Sequence, residues 1–186
     1  MNSNLMNQKI SWIYFVIVFL SVAFSMIFHE FGHYIVGEVL GYHMQMNLDS
    51  VRAIGEYNSS IDMKLEILGG PLFTLLQTVI VALVLLNRKS ILLYPLLIGG
   101  AIMRVIPYLN GFFNYDTILK EDEGKLSAAI GLSPVVLPIL VIIILIGIVI
   151  YIQYRLKISY KKLLITIGGV IISFMILFGI ISPLFH

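Results

Sequence analysis

Apolar residues fall in long, nearly unbroken runs along this chain. Runs of predominantly apolar residues cover 10–28, 71–86, 91–109, 134–154 and 163–181. A helix needs about 20 such residues to cross a bilayer, so the pattern predicts about five transmembrane helices. The first helix is expected to continue past its apolar run to about residue 40. Pro71 suits the opening turn of the second helix, where its missing N–H costs nothing. The second and third runs are separated only by Asn87-Arg88-Lys89-Ser90, which predicts an antiparallel helical pair.

Two segments break this pattern. In residues 44–68, Ile61, Met63, Leu65 and Ile67 alternate with Asp62, Lys64 and Glu66. A period of two reads as a strand with one apolar face. Met44, Met46 and Leu48 alternate in the same way, and the polar run from Gly55 to Ser60 separates the two halves. A small β-hairpin between the first and second spans is therefore expected. The second break, residues 110–133, holds Asp116, Glu121, Asp122 and Glu123, with a short amphipathic helix expected over 119–132. There is no internal repeat or low-complexity linker. The expected fold is an all-α polytopic membrane protein, one domain over 1–186, with a core at 10–134 and two further spans at 134–184.

Composition supports a membrane setting. Hydrophobic residues make up 59% of the chain and charged residues 12%, against roughly 45–50% and about 25% in soluble domains. The lipid bilayer is the first partner implied. No basic stripe interleaves with aromatics, which argues against nucleic acid. Lys9 before an apolar run resembles a secretory signal, but the run is long enough to span and no small-residue cleavage site follows. It reads as an uncleaved signal anchor. One set of loops collects Lys9, Arg88, Lys89, Arg155, Lys157, Lys161 and Lys162, while the acidic residues gather in the other. By the positive-inside rule the N-terminus is expected in the cytoplasm of a multi-pass cell-membrane protein. The Ile-, Lys- and Asn-leaning composition points to a bacterial source.

The chemistry concentrates in His29-Glu30-Phe31-Gly32-His33, toward the outer end of the first span. Histidines at i and i+4 share one helix face and can both reach one zinc ion. Glu30 lies on the neighbouring face, where it can act as general base toward a water activated by the metal. The competing explanation is a chance match at an interface. Placing an ionisable group in a span costs roughly 2.5–3.5 kcal/mol, which favours function over chance. With no cysteine in the chain, a metal must be held by His, Asp or Glu.

This motif on a membrane span resembles the site-2 protease family of intramembrane zinc metalloproteases, in its small bacterial branch. A β-rich insertion follows the motif. Gly69-Gly70-Pro71-Leu72-Phe73-Thr74 is similar to the family's Gly-Pro-x-x-Asn motif, with Thr74 where the Asn would stand. The resemblance covers roughly residues 10–134. It implies a zinc metalloendopeptidase that cuts a membrane-protein or peptide substrate within or beside the membrane, with the hairpin holding an extended substrate or acting as a lid. It also implies a third, acidic zinc ligand. Leu109-Asn110-Gly111 stands near the family's Leu-Asp-Gly, but Asn is a poor zinc ligand. Asp122 and Asp116 are the candidates, with Glu121, Glu123 or another group behind them. Asp122 shares a helical stripe with Leu119, Leu126 and Ile130, an apolar face on which a carboxylate needs a partner.

Other polar residues carry two readings each. Thr74, Gln77 and Thr78 share a face of the second span, either packing helices together or lining a catalytic cavity, with Thr74 a candidate for substrate positioning. Arg104 either assists at the oxyanion, pairs with an acid near the zinc, or snorkels to the interface. His43 reads as a surface imidazole, and Gly37 and Gly41 as helix-packing positions. The rival function is a non-catalytic zinc-binding or pseudoprotease membrane regulator, and a regulatory membrane partner is compatible with either.

Overall fold

Five helices are long and apolar enough to cross a membrane in this computed structural model, which describes residues 10–111 and 115–181. Helix α1 spans Trp12–Val39 and is followed by strands β1 (Met44–Met46) and β2 (Val51–Ala53). Helix α2 spans Ser60–Arg88, and α3 (Tyr94–Gly111) follows a single 3-10 turn at Ile91–Leu93. Two short helices come next, α4 (Tyr115–Ile118) and α5 (Asp122–Ala129). Helices α6 (Val136–Arg155) and α7 (Tyr160–Ile176) complete the set, with α7 running into a π-helical segment at Leu177–Ile181. Lys9 lies outside the described residues.

The five spans match the five apolar runs, and the hairpin sits between the first and second as expected. The hairpin is smaller than the alternation suggests. Its strands pair antiparallel as Met44↔Ala53, Gln45↔Arg52 and Met46↔Val51. The turn is closed by the Asn47 N–H donating to the Ser50 carbonyl at 2.8 Å.

The strand expected over 61–67 is instead the opening of α2. Ser59 caps that helix by accepting from the Asp62 N–H at 3.1 Å, and Asp62 in the first turn complements the helix dipole. Ile61, Met63, Leu65 and Leu68 are exposed while Glu66, Gly69 and Gly70 are buried. The period-two test assumes that apolar residues point inward. Around a membrane helix they also point outward, and here that mimics a strand. Pro71 consequently lies in the helix interior. It deprives the Ile67 carbonyl of its donor.

The bundle core is built from Tyr14, Val18, Val22, Leu85, Tyr94, Leu97, Ile98, Ile152 and Val170. Helix α1 packs closely on α2. A Cβ on Gly32 would meet the Gly69 carbonyl oxygen at 2.5 Å, and one on Gly69 would meet the Gly32 oxygen at 2.5 Å, so this crossing is open to glycine alone. Gly37 also permits a close approach, but to the Met44 side chain of β1 rather than to another helix. Gly41 is a turn residue with φ +91°, the left-handed conformation that glycine adopts without strain.

The hairpin is fastened at both ends. Glu38 accepts from the Met44 N–H at 2.8 Å. The Tyr42 hydroxyl donates to Asp62 at 2.7 Å and accepts from the Asn58 N–H at 2.8 Å. Burial and the Glu66 carboxylate push the neighbouring Tyr57 hydroxyl up to about 12, so it is a neutral donor at all ordinary pH.

Candidate metal centre

Three ligand atoms from two distant parts of the chain meet between α1, α2 and α5. Helix α1 presents His29 and His33 one turn apart, both buried. Asp122 arrives from the first turn of α5. The His29 and His33 Nε2 atoms are 3.3 Å apart. Asp122 Oδ2 lies 3.0 Å from the first and 3.3 Å from the second. Around a four-coordinate cation with bonds of about 2.0–2.1 Å, ligand atoms stand roughly 3.3–3.4 Å apart by tetrahedral geometry. Two sides of the triangle have this length and the third, at 3.0 Å, is slightly shorter, so the group is suited to hold a metal ion.

The remaining ring nitrogens explain why Nε2 is the inward atom in each case. His33 Nδ1 lies 2.9 Å from the Glu66 backbone carbonyl. A carbonyl only accepts, so Nδ1 donates there, and Nε2 is the atom left to face His29 and Asp122. Glu66 Oε1 is also near, at 3.3 Å. His29 Nδ1 lies 2.9 Å from Thr74 Oγ1, which holds its ring in orientation. Two imidazole Nε2 atoms and a carboxylate oxygen thus converge, an arrangement suited to a cation between them. Partners on the outer nitrogen of each ligating histidine are the usual support of a metal site.

Gly70 makes room for this centre. A Cβ there would run into His33 Nε2 and stand 2.5 Å from His29 Cε1, so the Gly69-Gly70 pair serves both the helix crossing and the histidine rings.

The centre opens on a cavity of about 430 Å³ lined by residues that include Glu30, Asp49, Val51, Glu66, Arg104 and Asp122. Glu30 is half-buried in its wall beside the histidines. Asp122 lies outside the spans. Burial opposes its ionisation, but hydrogen bonds from His29 and His33 and the positive charge of Arg104 outweigh burial and hold its carboxyl well below the usual carboxylate range. It is therefore an anion, as a ligand must be.

Asp122 joins the two histidines, and Asp116, exposed on α4, does not. The stripe that pointed to Asp122 is nevertheless not a buried face. Leu119 is 38% exposed and Ile130 51% exposed, while α5 buries Glu123, Gly124 and Ser127. Asp122 reaches the site because α5 begins there. The tight α4–α5 turn depends on Gly124, whose Cβ would collide with the Ile118 carbonyl.

Thr74 is in contact with His29, as above. Gln77 reaches Ser25 on α1 at 2.8 Å, and the Thr78 hydroxyl donates to the Thr74 carbonyl at 2.9 Å. Of this polar face only Thr74 touches the site. Arg104 is buried rather than snorkelling. Its Nη1 lies 2.9 Å from His29 Nε2, and its Nη2 lies 3.0 Å from Glu123 Oε2 and 3.6 Å from Asp122 Oδ2. His43 is exposed and apart from the cluster. The sequence reading missed Tyr108, whose hydroxyl donates to Glu123 Oε2 at 2.5 Å, and gave Glu123 no role beyond a reserve ligand. No family model, curated protein or solved structure matches the chain.

Proposed function

We propose that the chain is a zinc-dependent membrane endopeptidase, with His29, His33 and Asp122 as metal ligands and Glu30 as general base. The carrying observation is the convergence of the three ligand atoms, at 3.0–3.3 Å from one another, with a carboxylate beside them in the same cavity wall. Imidazole and carboxylate are common ligands of zinc, and three protein ligands with an open fourth position are the catalytic pattern. When bound, zinc supplies a Lewis acid that polarises the scissile carbonyl and makes water easier to deprotonate.

The protein's own groups perform the rest. Glu30 takes a proton from the attacking water and returns it to the departing amine, as a positioned carboxylate can. Thr74 and the Glu66 carbonyl hold the histidine rings in orientation. Substrate must enter extended, because a helix hides its carbonyls in hydrogen bonds. Strand β2 is the surface suited to receive it. The pairing register turns the N–H groups of Val51 and Ala53 away from β1, and Val51 lines the cavity. The outer edge of β1 is partly taken, since Met44 donates there to Glu38. An added strand along β2 would lie beside the metal centre.

On this reading the positive-inside rule favours a cytoplasmic N-terminus and α2–α3 connection, with the cavity toward the outer face. His29 follows Trp12, the first residue of α1, by 17 residues, roughly 26 Å at 1.5 Å per residue, so in a hydrocarbon core about 30 Å thick cleavage is expected inside the membrane toward its outer side. The test is cleavage of a panel of tagged single-span substrates by purified wild type and Glu30→Gln, with zinc measured on both. The expected result is equal zinc and a loss of cleavage of at least about a hundredfold in Glu30→Gln, at the lower end of what general acid–base catalysis contributes. Equal cleavage by the two would remove Glu30 from the chemistry. Zinc retention without cleavage by either favours the regulator instead.

A further inference from the structure

Glu123 is 1% exposed, lies next to a metal ligand, and has no part in the ligand set. Its Oε2 receives Arg104 Nη2 at 3.0 Å and the Tyr108 hydroxyl at 2.5 Å. Tyr108 lies one helical turn beyond Arg104 on α3, so the two donors reach Glu123 together from one helix. Arg104 itself is only 7% exposed, although it stands close enough to a helix end for its long stem to reach the interface. The carboxylate holds the guanidinium inward.

We propose that Glu123 and Tyr108 form a clamp that holds Arg104 as an anion-binding group beside the metal centre, so that the site accepts a tetrahedral oxyanion. This rests on the metallopeptidase reading above and deepens it, because the transition state of amide hydrolysis carries such an oxyanion. The guanidinium has a fixed fork of five N–H donors. One arm, Nη2, is taken by Glu123, while Arg104 lines the cavity. Its Nε has no hydrogen-bond partner among the described residues. Nη1 faces His29 Nε2, and it is released from that acceptor whenever Nε2 serves a metal. A guanidinium fixed on one side in the wall of a cavity has the fork geometry that recognises carboxylate and phosphate oxygens. Arg104 is the group that meets the anion. Glu123 and Tyr108 are positioning residues that act through it. The first turn of α5 therefore carries two functions in adjacent residues: Asp122 for the metal and Glu123 for the arginine.

The full-length protein loaded with Co²⁺ gives a readout that needs no substrate. Visible absorption reports metal uptake, and titration with inorganic phosphate reports anion binding next to it. Wild type is expected to bind Co²⁺ one to one and to shift its spectrum with phosphate. Glu123→Gln and the near-isosteric Tyr108→Phe are expected to keep the Co²⁺ spectrum and to weaken phosphate at least tenfold and several-fold, respectively. Arg104→Gln should abolish the phosphate response, and Arg104→Lys, which keeps charge without the fork, should restore part of it. Wild-type phosphate affinity in both Glu123→Gln and Tyr108→Phe overturns the clamp. Loss of Co²⁺ itself in Glu123→Gln, with Tyr108→Phe unaffected, also overturns it, since Glu123 would then merely anchor α5. Wild type that takes up Co²⁺ but ignores phosphate overturns the inference alone. Wild type that takes up no Co²⁺ overturns the metallopeptidase reading with it.

Discussion

His33 shows how a single side chain is oriented so that it could serve as a ligand. Its Nδ1 is committed to a backbone carbonyl, so its chemistry is left to Nε2, which faces His29 and Asp122. Removing Asp122 leaves two imidazoles converging with no anion to complete the set. Asp122→Ala is therefore expected to lower metal affinity by more than about a hundredfold, beyond the roughly 10–100-fold cost of losing an outer hydrogen-bond partner. Asp116→Ala should leave it unchanged, as equilibrium dialysis with Zn²⁺ would report. The reverse pattern would reassign the third ligand. The two histidines and Glu30 were readable in the sequence because their spacing is local to one helix turn. Asp122 was readable as a candidate, but through a stripe that turns out to be exposed. Thr74 was legible only as a polar residue on a buried face, since its contact with His29 joins residues 45 positions apart. Nothing local announces that the Tyr108 hydroxyl donates to Glu123, because the contact joins two helices and a buried acid in a helix as short as α5 leaves no periodic signature.

At the scale of elements, the spans were legible and the boundaries of the hairpin were not. Long apolar runs force helices in a bilayer, because every backbone polar group must be satisfied within the segment. The alternation at 61–67 misled because outward-facing residues such as Ile61 and Leu65 are apolar and exposed at once. The short hairpin that does form has a consequence for function. Val51 and Ala53 do not donate to β1, so Val51→Pro and Ala53→Pro should spare the β1–β2 pairing while removing donors from the outer edge of β2. Substrate cleavage is expected to fall at least tenfold in each, with zinc content unchanged. Cleavage at the wild-type rate in both would make the hairpin a shield rather than a substrate-binding edge.

For the whole molecule, five spans with an intervening hairpin bring residues from α1, α2, α3 and α5 to one end of the bundle around a shared cavity. The uneven distribution of Lys and Arg predicts which side of the membrane that end faces. The chain has no cysteine, so an introduced one is the sole thiol. Glu56→Cys, in the exposed connection between β2 and α2, should label with an impermeant maleimide added outside intact cells, and Lys157→Cys only after permeabilisation. The opposite pattern would invert the topology. Zinc-edge X-ray absorption on the purified full-length protein reads the proposed His29, His33 and Asp122 ligand set itself. The account predicts one zinc per chain, with two imidazole nitrogens at about 2.0–2.1 Å and oxygen ligands completing the site, and loss of one oxygen ligand or of the metal in Asp122→Ala. A protein that carries no zinc after purification in its presence, or one whose zinc environment is unchanged in Asp122→Ala, would contradict it.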